Sequence, residues 1–206
     1  MNIARVLYPV KVLGPGKRIG IWFAGCPRRC AGCSNPELWN RKDEYEIQVA
    51  DFIELIRPLH ARDSMIGFTL TGGEPFHQPR ELVTLLQEIS KWTDDILVYT
   101  GYRKQELESM PDKDVKLALS LIGVLIDGPY EESLNNGVRL RGSSNQKIWI
   151  IKESLKEDYE HYIHEENNEI QNFTTSDGVV SVGIHTPGFK DALIQRAKKK
   201  GVIIHE

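Results

Sequence analysis

All three cysteines of this chain fall within GCPRRCAGCSN, residues 25–35. Cys26, Cys30 and Cys33 are spaced C-x3-C-x2-C, directly after RIGIWFAG, whose β-branched and aromatic content reads as a strand. An odd number of thiols does not make a set of disulfides. A structural zinc site takes four protein ligands, and no histidine lies in the loop, the nearest in sequence being His60 and His77. Cys30 and Cys33 form a C-x-x-C pair of the redox type, but that leaves Cys26 without a role. A four-iron cluster held wholly by cysteine takes four thiolates. Three would leave one iron open to a ligand, much as catalytic zinc keeps a vacant position.

A second constellation, TGGEP at residues 71–75, ends another apolar run. Its glycines let backbone approach a ligand closely, Glu74 can accept from an ammonium, and Pro75 stiffens the turn; the same pentapeptide also makes a plain strand-to-helix turn. C-x3-C-x2-C followed one unit later by TGGEP resembles the radical S-adenosylmethionine (SAM) superfamily, in which the open iron chelates the amino and carboxylate groups of SAM. The likeness becomes more specific in GPGKR (14–18), GCPRRCAGCSNPELW (25–39), TGGEPFH (71–77), YTGY (99–102), LIDGPY (125–130) and RGSSNQ (141–146). In this order these segments resemble the anaerobic ribonucleotide reductase activating proteins, over residues 5–150. Gly32 adds to it, because many radical SAM proteins carry an aromatic residue before the third cysteine.

The resemblance implies a [4Fe-4S] cluster reduced by a flavodoxin- or ferredoxin-type donor. It also implies cleavage of SAM to methionine and a 5′-deoxyadenosyl radical, and removal of hydrogen from a glycine of a partner, above all the anaerobic ribonucleoside-triphosphate reductase. Cys26, Cys30 and Cys33 would hold three irons. Gly32, Cys33 and Ser34 would line the SAM site, and Gly73 and Glu74 would take the methionine end. Thr100 and Asp127, at the ends of the third and fourth strands, would either reach SAM or a cation at the same rim or cap the following helices. An aspartate that related activases can carry in the YTGY region is absent. No acid–base residue is required, so none is assigned as catalytic. Trp22, Trp39 and Trp149 read as core or loop anchors, His77 as a hydrogen-bonded loop residue, and RGSSNQ as a turn or partner contact.

The elements that must position these residues alternate. Strands are expected at 18–25, 65–73, 95–102, 121–128 and 147–151. Helices are expected at 46–57, with Val49, Phe52, Ile53 and Ile56 on one face; at 79–92, with Leu82, Val83, Leu86 and Ile89 inward; and over 104–119, broken around Pro111. Strands apolar on both faces and separated by amphipathic helices argue for a parallel sheet built from βαβ units. Too few units are present for a closed eight-fold barrel. The fold class is therefore α/β, a partial (β/α) barrel of the radical SAM type over 1–151, with a C-terminal α/β extension over 152–206 on the same domain. Within the extension, 153–172 reads as a solvated acidic helix running into a loop and 176–184 as a short strand. Residues 188–201 read as a helix with Phe189, Ala192, Leu193 and Ala197 on one face, its KKK being an ordinary cationic helix end.

With 206 residues, 40% apolar and 27% charged, and a formal net charge of −3, the composition is that of one ordinary domain and gives no reason to expect a nucleic-acid or membrane partner. The lack of a leader-like or spanning segment, together with free thiols, reads as cytoplasmic. Two other readings stay open: a radical SAM enzyme acting on another glycyl-radical enzyme, a peptide or a small molecule, and a non-catalytic zinc module. A tail packed across the open side of the barrel would count against activation, since a glycyl loop needs a groove.

Overall fold

The computed structural model describes residues 1–63, 66–164, 168–175, 178–199 and 201. Six strands lie side by side in chain order: β1 (Ile3–Val10), β2 (Arg18–Phe23), β3 (Gly67–Gly72), β4 (Ile96–Tyr99), β5 (Val124–Asp127) and β6 (Lys147–Ile150). β2 to β5 are parallel, whereas β1 and β6 run antiparallel to their neighbours. The crossovers carry α1 (Val49–Arg62), α2 (Pro79–Ile89), and the pair α3 (Lys104–Ser109) and α4 (Lys113–Leu121). The architecture is α/β with a mostly parallel central sheet.

The two edges depart from the sequence reading. Residues 3–10 were not expected as a strand, because Arg5 and Pro9 interrupt the apolar pattern. The strand expected at 147–151 forms but runs antiparallel, since the connection from β5 holds a single 3-10 turn, Glu132–Leu134, and no crossover helix.

Side chains alternate across the sheet. Ile19, Ile21, Phe68, Leu70, Val98 and Leu125 pack on one face with the apolar stripes of α1, α2 and α4, including Phe52, Ile53, Ile56, Leu82, Leu86 and Ile89. Trp22, Leu97, Tyr99, Val124 and Ile126 belong to the other face. The C-terminal segment covers it: α5 (Lys156–His164) contributes Tyr159 and Tyr162, and the hairpin β7 (Gln171–Thr175) and β8 (Gly178–Val182) contributes Phe173, Val180 and Val182. Ile184 follows.

α5 forms as the solvated acidic helix its composition suggested, with six of its nine residues exposed, but two tyrosines anchor it. Tyr159 is fully buried, and its hydroxyl donates to Asp95 Oδ1 at 2.6 Å. Asp95 in turn receives Arg18 through Nη1 (2.5 Å) and Nη2 (2.8 Å), while Arg18 Nε donates to Thr69 Oγ1 (2.6 Å) and Nη2 also to the Phe68 carbonyl (2.7 Å). This network ties the C-terminal segment to the N-terminal ends of β2 and β3. α6 (Phe189–Lys199) forms as expected, but Ala192 and Leu193 stand exposed, so only part of its apolar face is covered. The expected elements also touched Met65, residues 165–167, Ser176, Asp177 and Lys200, which lie outside the described residues.

Candidate functional site

After β2 the chain makes a loop that closes on itself. The Gly25 N–H donates to the Leu38 carbonyl (2.9 Å) and the Cys26 N–H to the Trp39 carbonyl (2.8 Å). A 3-10 turn at Pro36–Leu38 with Pro36 in its first position, and the fully buried Leu38, anchor the far side. The NPELW segment thus holds the cysteine loop shut. Arg28 ties the loop to the next unit, its guanidinium 4.2 Å above the Tyr102 ring and 3.1 Å from Glu106 Oε2.

The loop after β3 lies directly on the root of the cysteine loop. The Gly73 N–H donates to the Phe23 carbonyl (2.7 Å) and the Glu74 N–H to the Gly25 carbonyl (2.9 Å). A Cβ on Gly72 would come within 2.6 Å of the Phe23 oxygen, and one on Gly73 within 2.7 Å of the Gly25 oxygen. These glycines are required by backbone packing before any ligand is considered.

Glu74 is 1% exposed. Its Oε1 accepts from the Phe76 N–H (3.0 Å) and Thr100 Oγ1 (2.9 Å), and its Oε2 from the Gly101 N–H (2.8 Å). Burial, only partly offset by these neutral donors, pushes its pKa up to about 7. Thr100, expected at the rim, is thus the residue that joins β4 to the glycine-rich loop.

These pieces enclose a cavity of about 200 Å³. Cys26, Cys30, Cys33, Ser34, Gly73, Glu74 and Thr100 all line it. Gly32 and Asp127 are not among the lining residues. Gly32 has φ of 69°, and a Cβ there would sit 2.6 Å from the Glu132 carboxyl carbon, so backbone shape and a neighbouring side chain account for it. Asp127 corrects a placement: Ile126 faces the cavity side, so strand alternation turns Asp127 to the helix side. There it accepts from the Lys104 N–H (2.6 Å) at the start of α3 and the Lys147 N–H (3.3 Å). Trp149 shares that side, under the Lys104 and Lys147 ammonium groups, and His77 is likewise absent from the lining.

Several lining residues had no individual role assigned from the sequence: Arg28, Tyr99, Tyr130 and the stretch 181–185, while Gly142 and Gln146 come from RGSSNQ, read only as a turn or partner contact. Gln146 explains RGSSNQ. Its Oε1 accepts from the Gly142 N–H (2.9 Å) and its Nε2 donates to the Gly128 carbonyl (2.9 Å), so it clamps the loop after β5. The motif signalled Gln146, whereas nothing in the composition of 181–185 marked it as part of a site.

The donor set fits an iron–sulfur cluster. Three half-exposed free thiols open on one cavity. Burial raises the thiol pKa of Cys26 and of Cys33, so a metal that deprotonates them supplies the counter-charge the pocket lacks. The Asn35 N–H already points at Cys33 Sγ (3.4 Å), and the buried indole N–H of Trp39, on the same lining, also acts on the Cys33 thiol. Donors beside thiolates are the groups that hydrogen-bond cluster sulfurs. Among the described residues, no three His, Cys, Asp or Glu side chains gather as a single metal ion requires. None of the described helices is long and apolar enough to cross a membrane.

Comparison with known proteins agrees with this site. A family model described as a 4Fe-4S single cluster domain matches residues 12–149. The chain is 34% identical to the anaerobic ribonucleoside-triphosphate reductase-activating protein of Enterobacteria phage T4, across 72% of this chain and 94% of that protein. It is 33% identical to the protein of the same description from Escherichia coli (strain K12), across 70% and 96%. The pyruvate formate-lyase-activating enzyme of Clostridium pasteurianum is 29% identical, across 85% and 78%. With its cysteine loop inside that cluster domain, and with relatives matched over nearly their whole length, this chain belongs to the family of anaerobic ribonucleoside-triphosphate reductase-activating proteins.

Proposed function

We propose that this protein is a radical SAM activase that generates a glycyl radical on a partner enzyme, most directly the anaerobic ribonucleoside-triphosphate reductase, in the cytoplasm and with a flavodoxin- or ferredoxin-type electron donor. The open sheet β2 to β5 with its helices on one face is then the partial barrel of that superfamily. One observation carries the reading: the cysteine loop and the glycine-rich loop are bonded to each other and face one cavity.

Cys26, Cys30 and Cys33 would hold the cluster, whose bound chemistry is the one-electron cleavage of SAM. The protein's part is binding, orientation and exclusion of water. Ser34 and Gly73 offer backbone at the cavity wall. Glu74 has about four lone-pair sites on its two oxygens and uses three, leaving one on Oε2 for an N–H of the SAM amino group. Thr100 orients Glu74 through its hydroxyl rather than reaching the ligand itself.

The test is anaerobic incubation of the reconstituted protein with reductant, SAM and the reductase, followed by electron paramagnetic resonance. A glycyl doublet on the reductase is expected. Cleavage of SAM without that doublet would move the assignment to another substrate. This second reading has one observation in its favour, since the C-terminal segment covers the sheet face opposite the helices and narrows the approach. The zinc module has none beside a 4Fe-4S domain.

A further inference from the structure

We infer that residues 181–185 form a substrate-facing wall of the cofactor cavity, and that Ser181 and His185 help determine which polypeptide can present a glycine there. The inference rests on the activase reading above.

The wall is built, not draped. Val182 (3% exposed) and Ile184 (8%) are buried with Leu13, Trp22 and Leu38, the last two being core residues of the strand and loop that carry the cysteines. The rest of the segment is pinned from both sides. Gln171 of β7 donates to the Pro9 carbonyl (2.8 Å) and accepts from the Lys11 N–H (2.9 Å), at the end of β1. The His185 carbonyl accepts from Asn135 Nδ2 (2.7 Å), and Asn168 Nδ2 bridges the Gly137 (3.2 Å) and Ile184 (3.1 Å) carbonyls, on the loop after β5. The segment therefore spans the cavity from the β1 edge to the loop before β6.

Its chemistry is neutral. It presents the Ser181 hydroxyl, the Gly183 backbone, the Ile184 side chain and an imidazole whose Nε2 lies 3.1 Å from Ser181 Oγ and whose ring stacks on Phe189 at 4.4 Å. Burial lowers the pKa of that imidazole, which keeps it uncharged at neutral pH. The charged ends of the cavity, Arg28 and Glu74, come from the core segment instead. A wall of bare backbone and neutral hydrogen-bonding groups suits the main chain of a polypeptide.

The choice of polypeptide over cofactor follows from where the cluster domain stops. The match to the 4Fe-4S single cluster domain ends at residue 149, so every residue of the wall lies outside that domain. Cofactor chemistry belongs to the cluster domain; what a wall outside it can alter is the partner.

The test uses the full-length, reconstituted protein with Ser181→Ala, His185→Ala and the more conservative His185→Gln, each checked for iron content. Two quantities are read: the SAM dissociation constant by equilibrium dialysis, and the yield of glycyl radical against reductase concentration by electron paramagnetic resonance. At subsaturating reductase, the alanine variants should lose about tenfold in radical yield, the loss of one contact worth about 1.4 kcal/mol. SAM affinity should stay within about twofold, well under that scale, and His185→Gln should recover part of the loss. SAM affinity falling in step with radical yield would assign the wall to the cofactor and overturn the inference, as would variants that match the unaltered protein in both readings. If the unaltered protein cleaves SAM but never radicalises the reductase, the activase reading itself fails and the inference goes with it.

Discussion

At the N-terminal ends of the parallel strands, Arg18 is buried with Asp95 as counter-charge, with Thr69 and the Phe68 and Pro15 carbonyls taking its remaining hydrogen bonds and Tyr159 donating to Asp95. At the C-terminal ends, Glu74 is equally buried but receives only neutral donors. Arg28 acts on it through space, its guanidinium being engaged by Tyr102 and Glu106. The lower charge is satisfied inside the fold and its burial raises no question of function. The upper charge has no opposite charge in contact with it, and three free thiols open on the same cavity. A closed network marks structure, and an incomplete one marks a site.

The largest way to test this contrast is at the thiols. Cys30→Ala should abolish cluster assembly, with iron after anaerobic reconstitution falling from about four per chain to near none. Its urea midpoint without metal should barely move, because loop closure rests on Gly25, Cys26, Leu38 and Trp39. Full iron retention would remove Cys30 from the site. At the other end, Arg18→Met should cost about 3–5 kcal/mol in urea unfolding by leaving Asp95 without its cation, while iron per folded chain stays constant. A stability unchanged by that substitution would show the lower network to be dispensable.

Glu74 should respond to pH with a definite sign. Its folded pKa, about 7, lies above the ordinary 4.5, so between those values the folded chain binds the extra proton and the unfolded chain does not. Stability from this group is therefore present at low pH and lost as pH rises through about 7, by up to about 3 kcal/mol. Glu74→Gln should remove this slope in urea titrations compared at pH 5 and pH 8. SAM affinity should run the opposite way in the unaltered protein, strengthening as pH rises and Glu74 ionises, and should weaken in Glu74→Gln. A flat SAM profile would take the methionine end away from Glu74. The smallest effect is expected at Asp127→Asn, which weakens a charged cap on the Lys104 N–H for about 1 kcal/mol of stability and leaves SAM affinity unchanged.

Much of this was legible in residue types. The inward faces of α1 and α2 follow from helical periodicity, and Phe52, Ile53, Ile56, Leu82, Val83, Leu86 and Ile89 are all buried. β1 was not legible, since Pro9 and Arg5 break its pattern and its partner is chosen by the sheet edge. Which of the two readings of Asp127 holds, rim or cap, was not legible, because strands buried on both faces show no polar alternation and the letters around it do not reveal which way it points. The burial of Tyr159 was hidden for a similar reason: an acidic helix can still turn two tyrosines inward, and only the presence of Arg18 and Asp95 beneath it shows that it does.

The sequence alone determined the chemistry available: three thiols too few for a closed site and in the right spacing for an open one, followed by a glycine-rich turn ending in a carboxylate. Those features are local, because ligand spacing and turn chemistry are set by neighbours in the chain. The tertiary structure decided which groups face one another. It bonded Gly73 and Glu74 to the root of the cysteine loop, spent most of Glu74 on Thr100, Phe76 and Gly101, turned Asp127 away, and brought 181–185 from the far end of the chain onto the same cavity. Such choices depend on strand order and packing between segments as much as 162 residues apart, as in Pro9 and Gln171, and no local pattern encodes them.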